Sequence, residues 1–154
     1  MRIVFNFLVV SLLLLSSCGK VDLYEKHVSI PEHAWSGAFK PVFDFEVTDS
    51  AADYQLFFLI RHNDKYNYSN IFFNLYSQTP GDSSLRKAPF EITLATDSKG
   101  WLGSGLDDIY EHRHPLTNFV RLRPGKYHFE LEQIMREDPL QHVLSVGLRL
   151  EKTK

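Results

Sequence analysis

Tyr127-His128-Phe129-Glu130-Leu131-Glu132 alternates a large apolar side chain with a polar one at every step. A period of two sends the rings and the leucine to one face of an extended chain and the histidine and glutamates to the other, so the segment is a β-strand with one buried and one wet face. Arg123-Pro124-Gly125 ahead of it is a tight turn, because proline presets φ and glycine follows. The same alternation recurs in Phe43, Phe45 and Val47 around Asp44 and Glu46, in Phe90, Ile92 and Leu94 around Glu91 and Thr93, and in Val146, Leu148 and Leu150 around Gly147, Arg149 and Glu151. Each predicts a half-buried strand.

Leu56-Phe57-Phe58-Leu59-Ile60 is apolar without alternation and is bounded by Asp53 and by His62-Asn63-Asp64, which predicts a strand covered on both faces. Ile71 to Tyr76 follows after the Asn-, Asp- and Tyr-rich stretch from Asn63 to Asn70, and the two runs read as an antiparallel hairpin with a long connection. Gln78-Thr79-Pro80-Gly81-Asp82 and Asp138-Pro139 mark further turns. Leu106, Ile109 and Tyr110 stand at helical spacing with Asp107, Asp108 and Glu111 among them, where the dipole of a first turn favours acids, so one short helix is expected here. Six to eight strands with at most one or two short helical turns make the fold class all-β, an antiparallel two-sheet β-sandwich of jelly-roll-like form.

The first residues have a different purpose. Arg2 supplies a positive start, residues 3–15 are almost wholly apolar, and Leu15-Ser16-Ser17-Cys18-Gly19 closes the run with small residues, the pattern of a secretory signal. The run is shorter than the roughly 20 residues of a spanning helix. Cys18 directly after Leu-Ser-Ser resembles the bacterial lipobox, whose cysteine is acylated and becomes the first residue of the mature chain. Burial of acyl chains contributes ~0.8 kcal/mol per CH2, so two or more chains hold a protein firmly. The organisation expected is a lipoprotein signal peptide over 1–17, an acylated Cys18 with a short tether over 18–27, and one sandwich domain over 28–154. Gly19 after the cysteine, rather than an acid, resembles sorting to the outer membrane with the domain facing the periplasm. Asp22 and Glu25 are too scattered for a dense acidic export signal.

Composition narrows the function classes. The chain of 154 residues carries 17 Lys plus Arg against 19 Asp plus Glu, without the basic surplus that a phosphate backbone requires, so nucleic acid is not an expected partner. One cysteine permits neither an internal disulfide nor a cysteine-built metal cage. His112-Arg113-His114 is the densest histidine pair, but no spacing supplies a third and fourth ligand, and no metal or cofactor is expected. Asp107 and Asp108 as neighbours would face different ways and do not form an acid–base pair. Gly103-Ser104-Gly105 is not the strand-to-helix elbow of a serine hydrolase, and Gly100 to Gly105 lacks the Lys-Ser/Thr step of a phosphate loop. No catalytic residue is assigned.

Two features remain. Lys99-Gly100-Trp101-Leu102-Gly103-Ser104-Gly105 brackets a tryptophan with glycines, which permit positive φ and close backbone approach. The segment reads as a packing corner for Trp101 or as a loop on which Lys99, Gly100, Trp101, Gly103 and Gly105 present a partner-docking surface. Trp35, Tyr66 and Tyr68, together with Trp101, are either core rings or, if they line one exposed groove, a stacking face for a glycan.

The lipobox at Cys18, the opening Val21 to Tyr24, the stretch from Ala95 to Gly105, Pro124-Gly125-Lys126-Tyr127 through Glu132-Gln133-Ile134-Met135-Arg136, and Val146-Gly147-Leu148-Arg149-Leu150-Glu151 together resemble the GldH gliding-motility lipoprotein family of Gram-negative gliding bacteria. The resemblance implies a lipid-anchored, non-enzymatic envelope component of gliding motility that works through contacts with other envelope proteins, and beyond that a link to the secretion machinery that delivers surface adhesins. It carries over no enzymatic residue. The alternative expectation is an envelope-anchored glycan-binding β-sandwich.

Overall fold

The computed structural model describes residues 24–152. Eight principal strands carry the fold: β1 (Tyr24–Ser29), β2 (Val42–Val47), β3 (Asp53–Asn63), β4 (Asn70–Gln78), β5 (Arg86–Thr93), β6 (Ile109–Pro115), β7 (Gly125–Gln133) and β8 (Val143–Lys152). They form two antiparallel sheets, β1-β8-β3-β6 and β2-β7-β4-β5. Numbered along the chain, these orders are 1-8-3-6 and 2-7-4-5, the nested connectivity of a jelly roll, in which the first four strands cross between sheets at each step. The all-β sandwich read from the sequence is therefore the fold.

The alternating segments behave as their period demands. Tyr127, Phe129 and Leu131 of β7 are buried, while His128, Glu130 and Glu132 face outward, with His128 2.7 Å from Asp44 across β2. Phe45 stacks on Tyr127 and Phe129 at centroid distances of 5.4 and 5.5 Å. Phe58 of β3 and Phe73 of β4 stack at 4.3 Å and join the two sheets at the centre of the core. The uninterrupted apolar run in β3 has its cause in the sheet's centre position. Leu56, Phe58 and Ile60 point into the core, whereas Phe57 lies on the outer face under the Arg113 guanidinium, 4.1 Å from the ring centroid.

Three expectations need correction. β3 and β4 are not a hydrogen-bonded hairpin: each belongs to a different sheet, and the connection from Asn63 to Asn70 arches over the end of the core, where Tyr66 is buried and donates its hydroxyl to the Asn70 carbonyl at 3.0 Å. Two apolar runs that meet face to face bury more than the same runs side by side. No helix forms at Leu106 to Glu111. Ser104–Leu106 is a short strand paired with β6, and Asp107 with Asp108 makes the two-residue turn between them, Asp107 taking φ 56°. Aspartate tolerates that left-handed conformation better than most side chains. The only helical turn among the described residues is a single 3-10 turn at Pro31–His33. Finally, the sandwich already includes residues before 28, because residues 24–27, expected within the tether, are paired with β8 from Leu150 to Gly147. As an edge strand β1 exposes Glu25 and Lys26, and so reads as polar. Cys18 and the expected signal peptide lie outside the described residues.

Candidate functional site

Between β5 and β6 the chain makes two small folds. Ala95–Thr96 pairs with Gly100–Trp101 around a turn in which the Lys99 amide donates to the Thr96 carbonyl at 3.3 Å and Gly100 adopts φ 65°. The Leu102 amide then returns to the Leu94 carbonyl at 2.8 Å, and Ser104–Leu106 docks along β6 as the edge of the sheet. Of the site residues named from the sequence, Lys99, Gly100 and Gly105 are exposed, Gly103 is half-buried, and Trp101 is half-buried against the core.

The glycines have two different causes. Gly100 is needed for its positive φ, with open space where a Cβ would stand. Gly103 has no positive φ, contrary to the expectation for this loop. A Cβ there would fall 2.5 Å from the Glu111 carbonyl oxygen and 2.9 Å from the His112 ring, so absence of a side chain lets the loop lie against β6. Gly105 approaches the Tyr110 ring in the same way, its Cβ position lying 3.0 Å from the ring.

Beneath the loop is a group that sequence reasoning missed. Trp101 lies with its ring centroid 4.4 Å from that of His62, and Tyr66 and Tyr110 enclose the same imidazole at 5.0 and 5.8 Å. His62 and His112 approach head to head, Nε2 to Nε2 at 2.9 Å, both buried. His62 Nδ1 lies 2.7 Å from the Asn63 carbonyl oxygen, which can only accept, so Nδ1 carries that ring's proton. His62 Nε2 is therefore the acceptor, and His112 donates from Nε2. The pair stays neutral. Burial pushes the His62 pKa down; burial and then the neighbouring His62 push His112 down to about 4. His114, the other half of the expected pair, is exposed, and among the described residues no group of three His, Cys, Asp or Glu is placed to hold a metal ion.

A histidine whose folded pKa is depressed resists protonation that the unfolded chain accepts, so its stabilising contribution is whole above about pH 6.5 and is lost as pH falls towards 4. His128 has the opposite sign, since Asp44 and then Glu130 raise its pKa, and its contribution fades only above the ordinary histidine range. Urea titrations of wild type and His112→Gln between pH 7 and pH 4.5 should show the wild type losing about 1–3 kcal/mol more than the variant over that interval. Parallel slopes would contradict the neutral pair.

A groove of about 1230 Å³ lies against the loop, lined by residues from both sheets and by Leu102, Leu106 and Ile109, with Arg61, Glu111 and Arg113 among its polar lining. Arg61 and Glu111 are paired at 2.5 Å, and Arg113 is paired with Glu151. On the other sheet Glu132 accepts from Lys40 at 2.8 Å, Asn74 at 2.8 Å and Tyr76 at 2.7 Å. The Lys40 hydrogen bond leads the effects that hold its carboxyl down at about 2. These charges are engaged with one another. The proposed stacking face does not assemble: Trp35 and Tyr66 are core residues, and Tyr68 and Trp101 pack onto the core from its edge.

The model of the GldH lipoproteins matches residues 22–150. Among curated proteins, a gliding motility lipoprotein GldH homolog of Christiangramia forsetii is 30% identical over 151 residues, spanning 93% of this chain and 91% of that protein. The gliding motility lipoprotein GldH of Flavobacterium johnsoniae is 28% identical over 154 residues, spanning 96% and 95%. Among solved structures, a carbohydrate-binding module specific for non-crystalline cellulose superposes with a TM-score of 0.47 at 13% identity, over 84% of this chain and 73% of that one.

Proposed function

The chain belongs to the GldH lipoprotein family, and on that premise we propose that it is a non-enzymatic component of the gliding-motility machinery, held in the outer membrane by lipid on Cys18 and facing the periplasm. The observation that carries this reading is the match across nearly the whole chain to relatives named gliding motility lipoproteins. The lipobox sequence before Cys18 supports the anchor, and Gly19 supports outer-membrane sorting. Removal of residues 1–17 as a signal peptide belongs to the same reading.

The protein works by contact. Support comes from the exposed apolar residues Leu102, Leu106 and Ile109 that border the groove, at the end of the sandwich farthest from Tyr24. Loops positioned by a rigid scaffold commonly carry binding. Lys99, Gly100, Trp101, Gly103 and Gly105 then have a supporting role: Trp101 seats the loop on the His62–His112 pair, and the glycines bring it close enough to shape the groove's rim. The partners are other envelope proteins of the motility assembly and of the secretion system coupled to it.

A strain lacking the gene is expected to lose colony spreading and to retain adhesins inside the cell, scored by microscopy and by immunoblot of the medium and cell surface. Normal spreading with normal adhesin export would overturn the proposal. Lys99→Glu, exposed and away from the packed side of the loop, should leave abundance, melting temperature and gliding unchanged. Gliding lost at normal abundance would make the loop itself the docking surface.

A further inference from the structure

The lipid and the fold are joined by very little chain. Five residues, 19–23, separate Cys18 from Tyr24, where β1 enters the sheet opposite Leu150. Even fully extended, that span reaches about 20 Å. The end of the sandwich that carries Tyr24 is thus held near the bilayer whenever Cys18 is acylated.

That end is built for such a place. Val120 and Arg121 pair with Tyr54 and Asp53 at the start of β3. β8 sets Leu150 against Leu56 and Lys152 against Tyr54, so Val120 lies two residues farther toward the anchored side than the row in which Tyr24 stands. Phe119 is 54% exposed and Val120 42%, both in the connection between β6 and β7. Two of the acids nearby are paired, Asp49 with Lys152 at 2.5 Å and Asp53 with Arg121 at 3.6 Å, and the exposed Glu46 stands opposite Lys126. Arg123 and Lys126 are exposed beside them. An exposed ring and a branched aliphatic side chain, flanked by long cations and with Asp49 and Asp53 paired, suit the zone between headgroups and acyl chains. There apolar groups bury and cations reach phosphate.

We propose that this end of the sandwich rests on the membrane, with Phe119 and Val120 inserted at the headgroup boundary, so that the lipidated protein stands upright with its Leu106 end outward. The proposal rests on acylation of Cys18. Because β3 spans from Asp53 to Asn63, and Ile109 opposite Asn63 pairs with Leu106, the two ends are about 33 Å apart at the rise of an extended strand. Leu106, 78% exposed, is therefore an internal control that the bilayer cannot touch.

The experiment uses the full acylated protein. Cys18 is the sole cysteine and is occupied by lipid, so Phe119→Cys and Leu106→Cys each introduce one reactive thiol. Both variants are labelled with an environment-sensitive fluorophore and reconstituted into phosphatidylethanolamine–phosphatidylglycerol vesicles, with and without lipids brominated high on the acyl chain. The label at 119 should shift to shorter wavelength and be quenched several-fold more than the label at 106. Equal quenching and water-like emission at both positions, in protein that floats with the vesicles, would overturn the docking and leave the anchor standing. Protein that fails to float would overturn the acylation reading, and the docking with it.

Discussion

Gly103→Val is expected to lower the melting temperature by about 10 °C, the consequence of a loss near 3 kcal/mol from forcing a branched side chain into a closed contact. The obstacle is backbone and ring together, since even a Cβ would stand 2.5 Å from the Glu111 carbonyl oxygen and 2.9 Å from the His112 ring. Relief requires Ser104–Leu106 to lift from β6 or His112 to leave His62, and either opens the end of the core that Trp101 covers. Gly100→Val is the informative comparison. It faces open space, so its cost is the left-handed backbone alone, about 1–2 kcal/mol. Differential scanning calorimetry that ranks Gly100→Val as the more damaging change would refute close approach as the reason for Gly103.

Phe129→Ala should cost about 3–5 kcal/mol in urea titrations, and His128→Ala less than 1 kcal/mol. Phe129 is buried among Phe45 and Tyr127, so truncation leaves a cavity between rings that the two sheets prevent from closing. His128, one position earlier, faces solvent between Asp44 and Glu130, where water replaces what the imidazole gives up. Equal losses at the two positions would mean that β7 does not present its faces as described.

These neighbours also show why most of the strands were legible. Along β2, β5 and β7 one face is packed and the other wet, and the sequence must then alternate; β8 alternates too, although Ser145 and Gly147 on its second face are buried. Where a second reading satisfied the same spacing, it misled. Leu106 and Ile109 lie three apart, which suits one face of a helix, but residues three apart are also the pair that flanks a two-residue hairpin turn, and this is how the chain uses them. The pairing of β3 with β8 and β6 rather than with β4 depends on long-range order, for which neither apolar run has a local signal. The same holds for the site. Trp101 as a packing corner could be read from its glycines, while His62 and His112 stand 50 residues apart and meet only because β3 and β6 are neighbours. Gly103 shows the limit from the other side: its need for glycine was legible, but its cause, a ring supplied by another strand, was not.

A single substitution bears most directly on the claim that lipid on Cys18 holds this sandwich in the envelope and that gliding depends on its being held there. In a strain whose only copy carries Cys18→Ala, membranes are separated from soluble protein, the released domain is compared with wild type by circular dichroism and thermal melting, and colony spreading is scored at matched abundance. The predicted result is a protein that leaves the membrane fraction with its β-sheet spectrum and melting temperature intact, in cells that no longer spread. A Cys18→Ala protein that remains with the membranes, or cells that spread normally while it is soluble, would contradict the account.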